Sequence, residues 1–151
     1  MAIYKSKAAL GQAPVQSLNS ALVAGLLYEY VTGAALAAGD IIQMGTLEAG
    51  VKPVDALLIT DDLDTNGTPT ITLTVGILNA AGTDIDAAAT STWIAASTAA
   101  QTGGHSRATS ASPYLSSVSA ESRQLGIKVV AGPATFAGVG KKVAVVVFAA
   151  G

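Results

Sequence analysis

The sequence predicts an all-β domain folded as a sandwich or a barrel. From Leu26 onward, short segments rich in β-branched residues follow one another, and Gly, Asp, Asn or Pro bounds each of them. The 151 residues show no repeat of fixed period and no shift in composition, and this length suits a single domain. We therefore expect one β domain, residues 25–151, preceded by an N-terminal arm, residues 1–24.

Seven segments have the composition expected of strands. They are Leu27–Thr32, Asp40–Met44, Val54–Thr60, Thr70–Leu78, Thr92–Ile94, Arg123–Val130 and Lys141–Phe148. In the clearest, Thr70–Leu78, large aliphatic residues alternate with threonine or glycine at the period of two typical of a half-buried strand. The predicted buried face consists of Ile71, Leu73, Val75 and Ile77. The threonine face is expected either to be in water or to contact a partner.

Two further segments differ from this alternating pattern. Residues 141–150 are almost entirely apolar, and their run of valines favours a strand covered on both sides over a short buried helix. Residues 97–122 are polar and long for a loop, so we interpret them as a projecting or partner-facing loop. Short helical turns are expected in residues 16–24 and 93–101.

The N-terminal arm shows neither strand alternation nor a sustained helical stripe, and we expect it to be extended. Polar residues interrupt its apolar stretch, so it is not expected to be a secretory signal. Exposure of its large apolar side chains would cost about 25 cal/mol for each Å² left in water. These side chains are Ile3, Tyr4, Leu10, Val15 and Leu18. Because an extended segment cannot bury them against itself, we predict that they contact a neighbouring protein.

The composition argues against several functional classes. Charged residues make up 12% of the chain, about half the usual share. We interpret this low share as the sign of a surface that neighbouring proteins cover. The alternative is an ordinary alanine-rich domain. Eight scattered basic residues and a net charge of −2 argue against nucleic-acid binding. The lack of cysteine excludes disulfides and thiolate sites. No run of apolar residues is long enough to span a membrane.

Residues 104–108, with the sequence GHSRA, imitate the nucleophile elbow of a hydrolase. Such an elbow follows a buried strand, and its serine needs a histidine placed across the site. Here the preceding residues are polar, and the only histidine of the chain, His105, is adjacent to Ser106. We interpret the motif as a polar loop, predict no catalytic residue and do not expect an enzyme.

Residues 62–67, with the sequence DLDTNG, match the first half of an EF-hand calcium loop. The closing acid of that loop would stand at position 73, where a leucine lies inside a predicted strand, so an EF-hand is excluded. A different calcium site would require Asp84 or Asp86 to fold in. The preferred interpretation is that Asp62 and Asp64 form turns, and we predict no metal and no cofactor.

Several pieces follow one another in residues 40–87 in a characteristic order. They are Thr46–Gly50 with Asp55, Asp61–Asp64, the threonine-rich Thr70–Gly76 and Gly82–Asp86. Together with residues 94–104 and 125–148, this pattern resembles the capsid decoration (cement) proteins of tailed bacteriophages and related virion structural proteins. The resemblance covers more than half of the chain, and none of its motifs is catalytic.

The resemblance implies a jelly-roll-like antiparallel β-sandwich with an extended N-terminal arm. It implies a non-enzymatic protein on the capsid surface of a virion, made in the bacterial cytoplasm and assembled as a trimer or at local symmetry axes. The implied partners are the major capsid protein and further copies of the chain, without nucleic acid or membrane. The first 25 residues fall outside the resemblance. From their apolar content we predict a homotrimer that these arms anchor to the capsid.

A second hypothesis keeps the fold and changes the function to a host-facing carbohydrate-binding module of a phage head or fibre. Such a module needs an exposed aromatic platform, and the residues available for one are Tyr28, Tyr30, Trp93 and Tyr114. A small hydrolase is a third hypothesis, which the lone histidine disfavours.

Overall fold

The structure, a computed structural model, describes residues 1–12 and 23–150. The strands within these ranges are β1 (Ile3–Lys5), β2 (Val23–Val31), β3 (Ile41–Leu47), β4 (Lys52–Thr60), β5 (Thr72–Ile77), β6 (Thr92–Ser97), β7 (Gly104–Arg107), β8 (Arg123–Ala131) and β9 (Lys142–Ala150). A 3₁₀ turn, Ala99–Gln101, follows β6, and a short helix α1, Ser112–Leu115, follows β7. No helix in the described ranges has the length and hydrophobicity needed to cross a membrane.

The strands form two sheets that pack against each other. The five-stranded sheet has the order β1-β3-β8-β5-β6, and the four-stranded sheet has the order β2-β9-β4-β7. Among the described pairings, only β1 with β3 is parallel. The predicted all-β, jelly-roll-like antiparallel sandwich is therefore confirmed in its architecture, with a parallel N-terminal strand added at one edge.

The core lies between the two sheets and consists of alternate residues of their strands. On the nine-residue strands β8 and β9 the fully buried hydrophobic residues are Leu125, Ile127, Val129, Val143, Val145, Val147 and Ala149. In β5 the predicted period of two is confirmed, since Leu73 and Val75 are fully buried and Ile77 is 7% exposed. The outward residues Val146 and Phe148 of β9 are half-buried, so this strand is covered less completely than its apolar sequence predicts.

All seven predicted strands occur, with boundaries that differ by up to four residues. β1 and β7 were not predicted, because with three and four residues they are too short to show alternation. The helix expected in residues 93–101 is wrong, because β6 occupies most of this range and only the 3₁₀ turn follows. The turn expected in residues 16–24 lies mostly outside the described residues. The division of the chain at residue 24 stays a prediction.

Gly76 lies where β5 approaches the chain before β6 most closely. The carbonyl oxygen of Ser91 accepts a hydrogen bond from the Ile77 N–H at 2.8 Å. A Cβ at position 76 would lie 2.1 Å from the same oxygen, which is backbone and cannot move aside cheaply. The close pairing of β5 with this segment therefore requires glycine at position 76.

Replacing Gly76 with Ala is expected to lower the free energy of unfolding by about 1–3 kcal/mol, because the new methyl group overpacks the junction. Gly33→Ala is the matched control, since nothing lies within 4 Å of its Cβ position. That control should change stability by less than about 0.5 kcal/mol. Urea unfolding followed by circular dichroism measures both, and equal effects would contradict this explanation of Gly76.

Candidate functional site

The described part of the predicted arm is attached to the five-stranded sheet. β1 pairs with Ile41–Gln43 at the start of β3. The Ala2 N–H donates a hydrogen bond of 2.6 Å to the carboxylate of Asp40. Further along, the hydroxyl of Ser6 donates to the carbonyl oxygen of Met44. The domain itself therefore holds the first residues of the arm.

Tyr4, one of the five predicted contact residues, packs half-buried against the domain. Its ring centroid lies 6.1 Å from that of Tyr30, and its hydroxyl donates to the carbonyl oxygen of Ala35 at 3.2 Å. Burial, and then the nearby charge of Asp40, raises the pKa of Tyr4, which keeps the hydroxyl protonated as a donor. Within one chain, Tyr4 therefore attaches the arm to the sandwich.

Ile3 and Leu10 are the predicted contact residues that the structure leaves exposed, at 40% and 52%. Leu10 lines a cleft of about 140 Å³ together with Lys5–Lys7 and residues 29–31 of β2. Val15 and Leu18 lie outside the described residues. The assignment of the five side chains to a neighbour contact stays a prediction.

The threonine face of β5 is polar and engaged with its own neighbours. The hydroxyl oxygen of Thr74 accepts a hydrogen bond of 3.0 Å from the Ala96 N–H. Just before the strand, the hydroxyl of Thr70 donates to the carbonyl oxygen of Gly132 at 2.8 Å. Thr72 and Thr74 are half-buried. This face of the sandwich is therefore hydrophilic, with part of its hydrogen-bonding capacity used internally.

The candidate calcium loop is built around Asp64, whose side chain is buried with only 1% of the residue exposed. Its carboxylate accepts hydrogen bonds of 2.7–3.3 Å from the backbone N–H groups of Asn66, Thr70, Ile71, Ala134 and Thr135. Burial alone would raise the pKa of Asp64, but these donors outweigh it and hold the pKa well below its usual range. A carboxylate surrounded by donors is poorly placed to bind a cation. Asp64 instead links its own loop, residues 64–71, to the loop at residues 134–135.

The other aspartates of the candidate calcium site have separate partners. Asp62 accepts the backbone N–H of Asp64 at 2.9 Å, which is a turn-forming contact. Asp84 forms an ion pair of 2.7 Å with Lys128, and Asp86 accepts hydrogen bonds within its own turn. In residues 1–12 and 23–150, no group of three or more acidic or histidine side chains could hold a metal. These contacts support the turn-forming interpretation.

The hydrolase-like residues 104–107 form the edge strand β7, which pairs with β4, so the predicted loop is wrong here. Adjacent residues of a strand point to opposite sides. His105 is exposed and Ser106 is half-buried, in agreement with this alternation. The imidazole of His105 is therefore directed away from the hydroxyl of Ser106, and the pair does not form a nucleophile and base.

The four aromatic residues considered for a carbohydrate platform do not form one. Trp93 is 2% exposed, and its indole N–H donates to a buried serine hydroxyl at 3.2 Å. Tyr28 and Tyr30 are buried in the core. Tyr114 is exposed on α1, where the ammonium group of Lys52 lies 4.9 Å from its ring centroid. A single exposed ring does not provide the extended stacking surface that the carbohydrate hypothesis requires.

An open groove of about 700 Å³, which was not predicted from the sequence, lies near the start of β8. Its lining is rich in hydroxyl, amide and carboxylate side chains, among them Thr46, Asn79, Asp86, Thr90, Ser119 and Glu121. The guanidinium of Arg123 donates to the carbonyl oxygens of Ser117 and Val51 at 2.9 and 3.1 Å. None of the described lining residues is a histidine, so the groove has no base of this kind. Its residues come from distant segments, and no local motif could have indicated it.

Two solved structures are similar to the chain over nearly its whole length. A chain from the capsid of Ralstonia phage GP4 is 35% identical with a TM-score of 0.81, and the alignment covers 98% of this chain and 97% of that one. A chain from the capsid asymmetric unit of cyanophage Pam1 is 26% identical with a TM-score of 0.66, and 93% and 96% are covered. No protein-family model matches the sequence. No curated protein is significantly similar to it.

Asp64→Asn is expected to destabilise the protein at pH 7, because the amide would place a donor against N–H donors. Since the folded-state pKa lies below the unfolded value of about 3.9, the stability contributed by the carboxylate is present above that value and is lost as the pH falls toward the folded-state pKa. Wild-type stability should therefore fall on acidification below about pH 4, and the variant should lose less. Urea unfolding across this range measures both.

Asp62→Asn is the control for this experiment, because the Asp62 carboxylate accepts one backbone N–H of its own loop and is partly exposed. It should destabilise less than Asp64→Asn and should keep the acid dependence of the wild type. Equal losses of stability in the two variants would contradict the role of Asp64 in linking the two loops. The same role would be contradicted if the free energy of unfolding fell equally with pH in Asp64→Asn and the wild type.

Millimolar calcium is expected to leave the Tm unchanged, because the oxygens of Asp64 already accept backbone donors. A ligand that binds only the folded state would raise the Tm. Differential scanning fluorimetry with calcium and with a chelator checks this expectation. A calcium-dependent rise that Asp62→Asn or Asp64→Asn abolishes would show that the loop binds the ion.

Proposed function

The chain belongs to the family of phage capsid proteins that includes the GP4 chain and is a structural protein of a virion, and we propose that it is a decoration protein. In this role it binds the outer surface of a phage capsid, made by the major capsid protein, and stabilises the shell. The observation that carries the proposal is the likeness to a capsid chain in both sequence and fold over the whole length. Synthesis in the bacterial cytoplasm and attachment to the capsid surface are parts of the proposal.

A structural role without catalysis agrees with the chemistry of the described residues. The structural neighbours are capsid proteins and not enzymes. The motif that imitates a hydrolase places His105 and Ser106 on opposite sides of an edge strand. Asp64, the most buried carboxylate of the candidate metal loop, serves the fold. The proposed partners are thus proteins of the particle.

The exposed arm residues support a trimer whose arms contact a neighbouring protomer or the shell. Ile3 and Leu10 are exposed large apolar residues in an arm that the domain holds at Tyr4. One such contact is weak, but three linked contacts can raise avidity by roughly 10²–10⁴. The low charge of the chain, 12%, also suits a surface that other proteins cover.

Purified protein is expected to co-sediment with undecorated capsids of its phage and to raise their melting temperature. The double variant Ile3→Ser, Leu10→Ser should bind capsids at least about tenfold more weakly than the wild type, because it removes apolar contact area. Val139→Ser is the control, since Val139 is 67% exposed and lies before β9, outside the arm. Point variants are preferable to deletion of residues 2–18, which would also remove β1.

Sedimentation equilibrium of the free protein at micromolar concentration tests the trimer. A monomer under these conditions would contradict it. Full binding by the double variant would contradict the arm contact, and a wild-type protein that leaves capsids undecorated would contradict the proposed function.

A further inference from the structure

The two outer faces of the sandwich differ in chemistry. Alternation with the buried residues directs one set of side chains outward on each sheet. On the five-stranded sheet the outward residues are mainly polar and include Gln43, Thr72, Thr74, Gln124 and Lys128. On the four-stranded sheet they are mainly apolar and include Val23, Leu27, Leu57, Ile59, Val146 and Phe148. We call these six residues the apolar face.

The strand register places the apolar face in one continuous patch. Leu27 of β2 is opposite Val146 of β9, which is opposite Leu57 of β4. The neighbouring row contains Gly25 and Phe148. A Cβ at Gly25 would lie 3.4 Å from a methyl group of Val146 and 3.9 Å from the ring of Phe148. The missing side chain at Gly25 therefore keeps the patch flat on that side.

The charged residues at the border of the apolar face are paired with each other. Arg107 forms an ion pair with Asp55 on the side of β4 and β7. On the opposite side, the ammonium of Lys142 lies 4.0 Å from the carboxylate of Glu29. Because these four charges are already compensated, a partner needs no matching charges to cover the patch. The chemistry suits an apolar, weakly charged protein surface.

We propose that the apolar face is the surface that the chain lays on the capsid shell, so that the polar outer face of the five-stranded sheet points away from the particle. This inference rests on the proposed function and adds the orientation of the bound protein, which the arm contact alone does not determine.

The size of the apolar face favours the shell over a second copy of the chain. The three nine-residue strands that carry the apolar face, about 4.8 Å apart and rising about 3.3 Å for each residue, cover roughly 400 Å² in total, so the face is no larger than this. A stable interface needs about 800 Å² from each partner, so a dimer through this face alone would be weak. At the β2 edge, however, Glu29 and Val31 line the cleft that contains Leu10. The face therefore adjoins the part of the arm that contains Leu10, and together they form a larger surface for one partner. Ile3 does not belong to this surface, because it pairs with Ile41 of the five-stranded sheet.

The test measures binding of charge variants to undecorated capsids by co-sedimentation. Ile59→Glu places a carboxylate in the apolar face and is expected to weaken binding by about tenfold or more. Val130→Glu is the matched control, because Val130 is 47% exposed on the outer face of β8 and Ile59 is 42% exposed on β4. Val23→Glu is a second test variant, and because Val23 is 63% exposed, the new carboxylate stays in water in the free protein and does not disturb folding. Circular dichroism and the Tm of each variant verify folding.

Each outcome distinguishes this inference from the proposed function. If the wild type does not bind capsids, the proposed function itself fails. If the wild type and both test variants bind equally, only the orientation is overturned. Weakening by Val130→Glu alone would place the five-stranded sheet on the shell and overturn it as well. If Ile59→Glu changes only the self-association of the free protein, the apolar face joins copies of the chain, which also overturns the inference.

Discussion

Burial of one face of each sheet against the other is the interaction on which the rest of the structure depends. The inner residues of the long strands β8 and β9 are fully buried and aliphatic. Because side chains alternate along a strand, a shift of register by one residue would move this buried set into water. The inner layer therefore determines which residues lie on the outer faces, and so it also determines the surfaces that a partner can contact.

The loops at the sheet ends are held by hydrogen bonds in addition to apolar packing, to which Leu36 and Leu63 contribute. A loop that crosses a compact domain must satisfy its backbone N–H groups, and here the carboxylate of Asp64 accepts five of them. The indole N–H of Trp93 and the backbone carbonyl of Thr90 are both linked through the hydroxyl of Ser116. Acidic and aromatic residues that could belong to a binding site therefore serve the fold.

The same structure explains why a chain with so few charges suits an assembly. A free domain with 12% charged residues has little repulsion to keep copies apart, whereas a virion component has neighbours that cover its surface. Because one outer face is polar and the other is apolar, the two sides of the sandwich suit different surroundings. In the orientation that we propose, the capsid is the partner of the apolar side.

The sequence by itself determined the fold class, seven of the strands and the inner face of β5, because alternation with a period of two is a local property of the chain. With one histidine and no cysteine, it also indicated a protein without catalytic chemistry. Only the tertiary structure decided the pairing of β1, the role of Asp64 and the position of the apolar face. The donors to Asp64 lie up to 71 residues away, and the apolar face joins β2, β4 and β9 from opposite ends of the chain. Such juxtapositions depend on contacts between distant segments, which no local spacing in the sequence records.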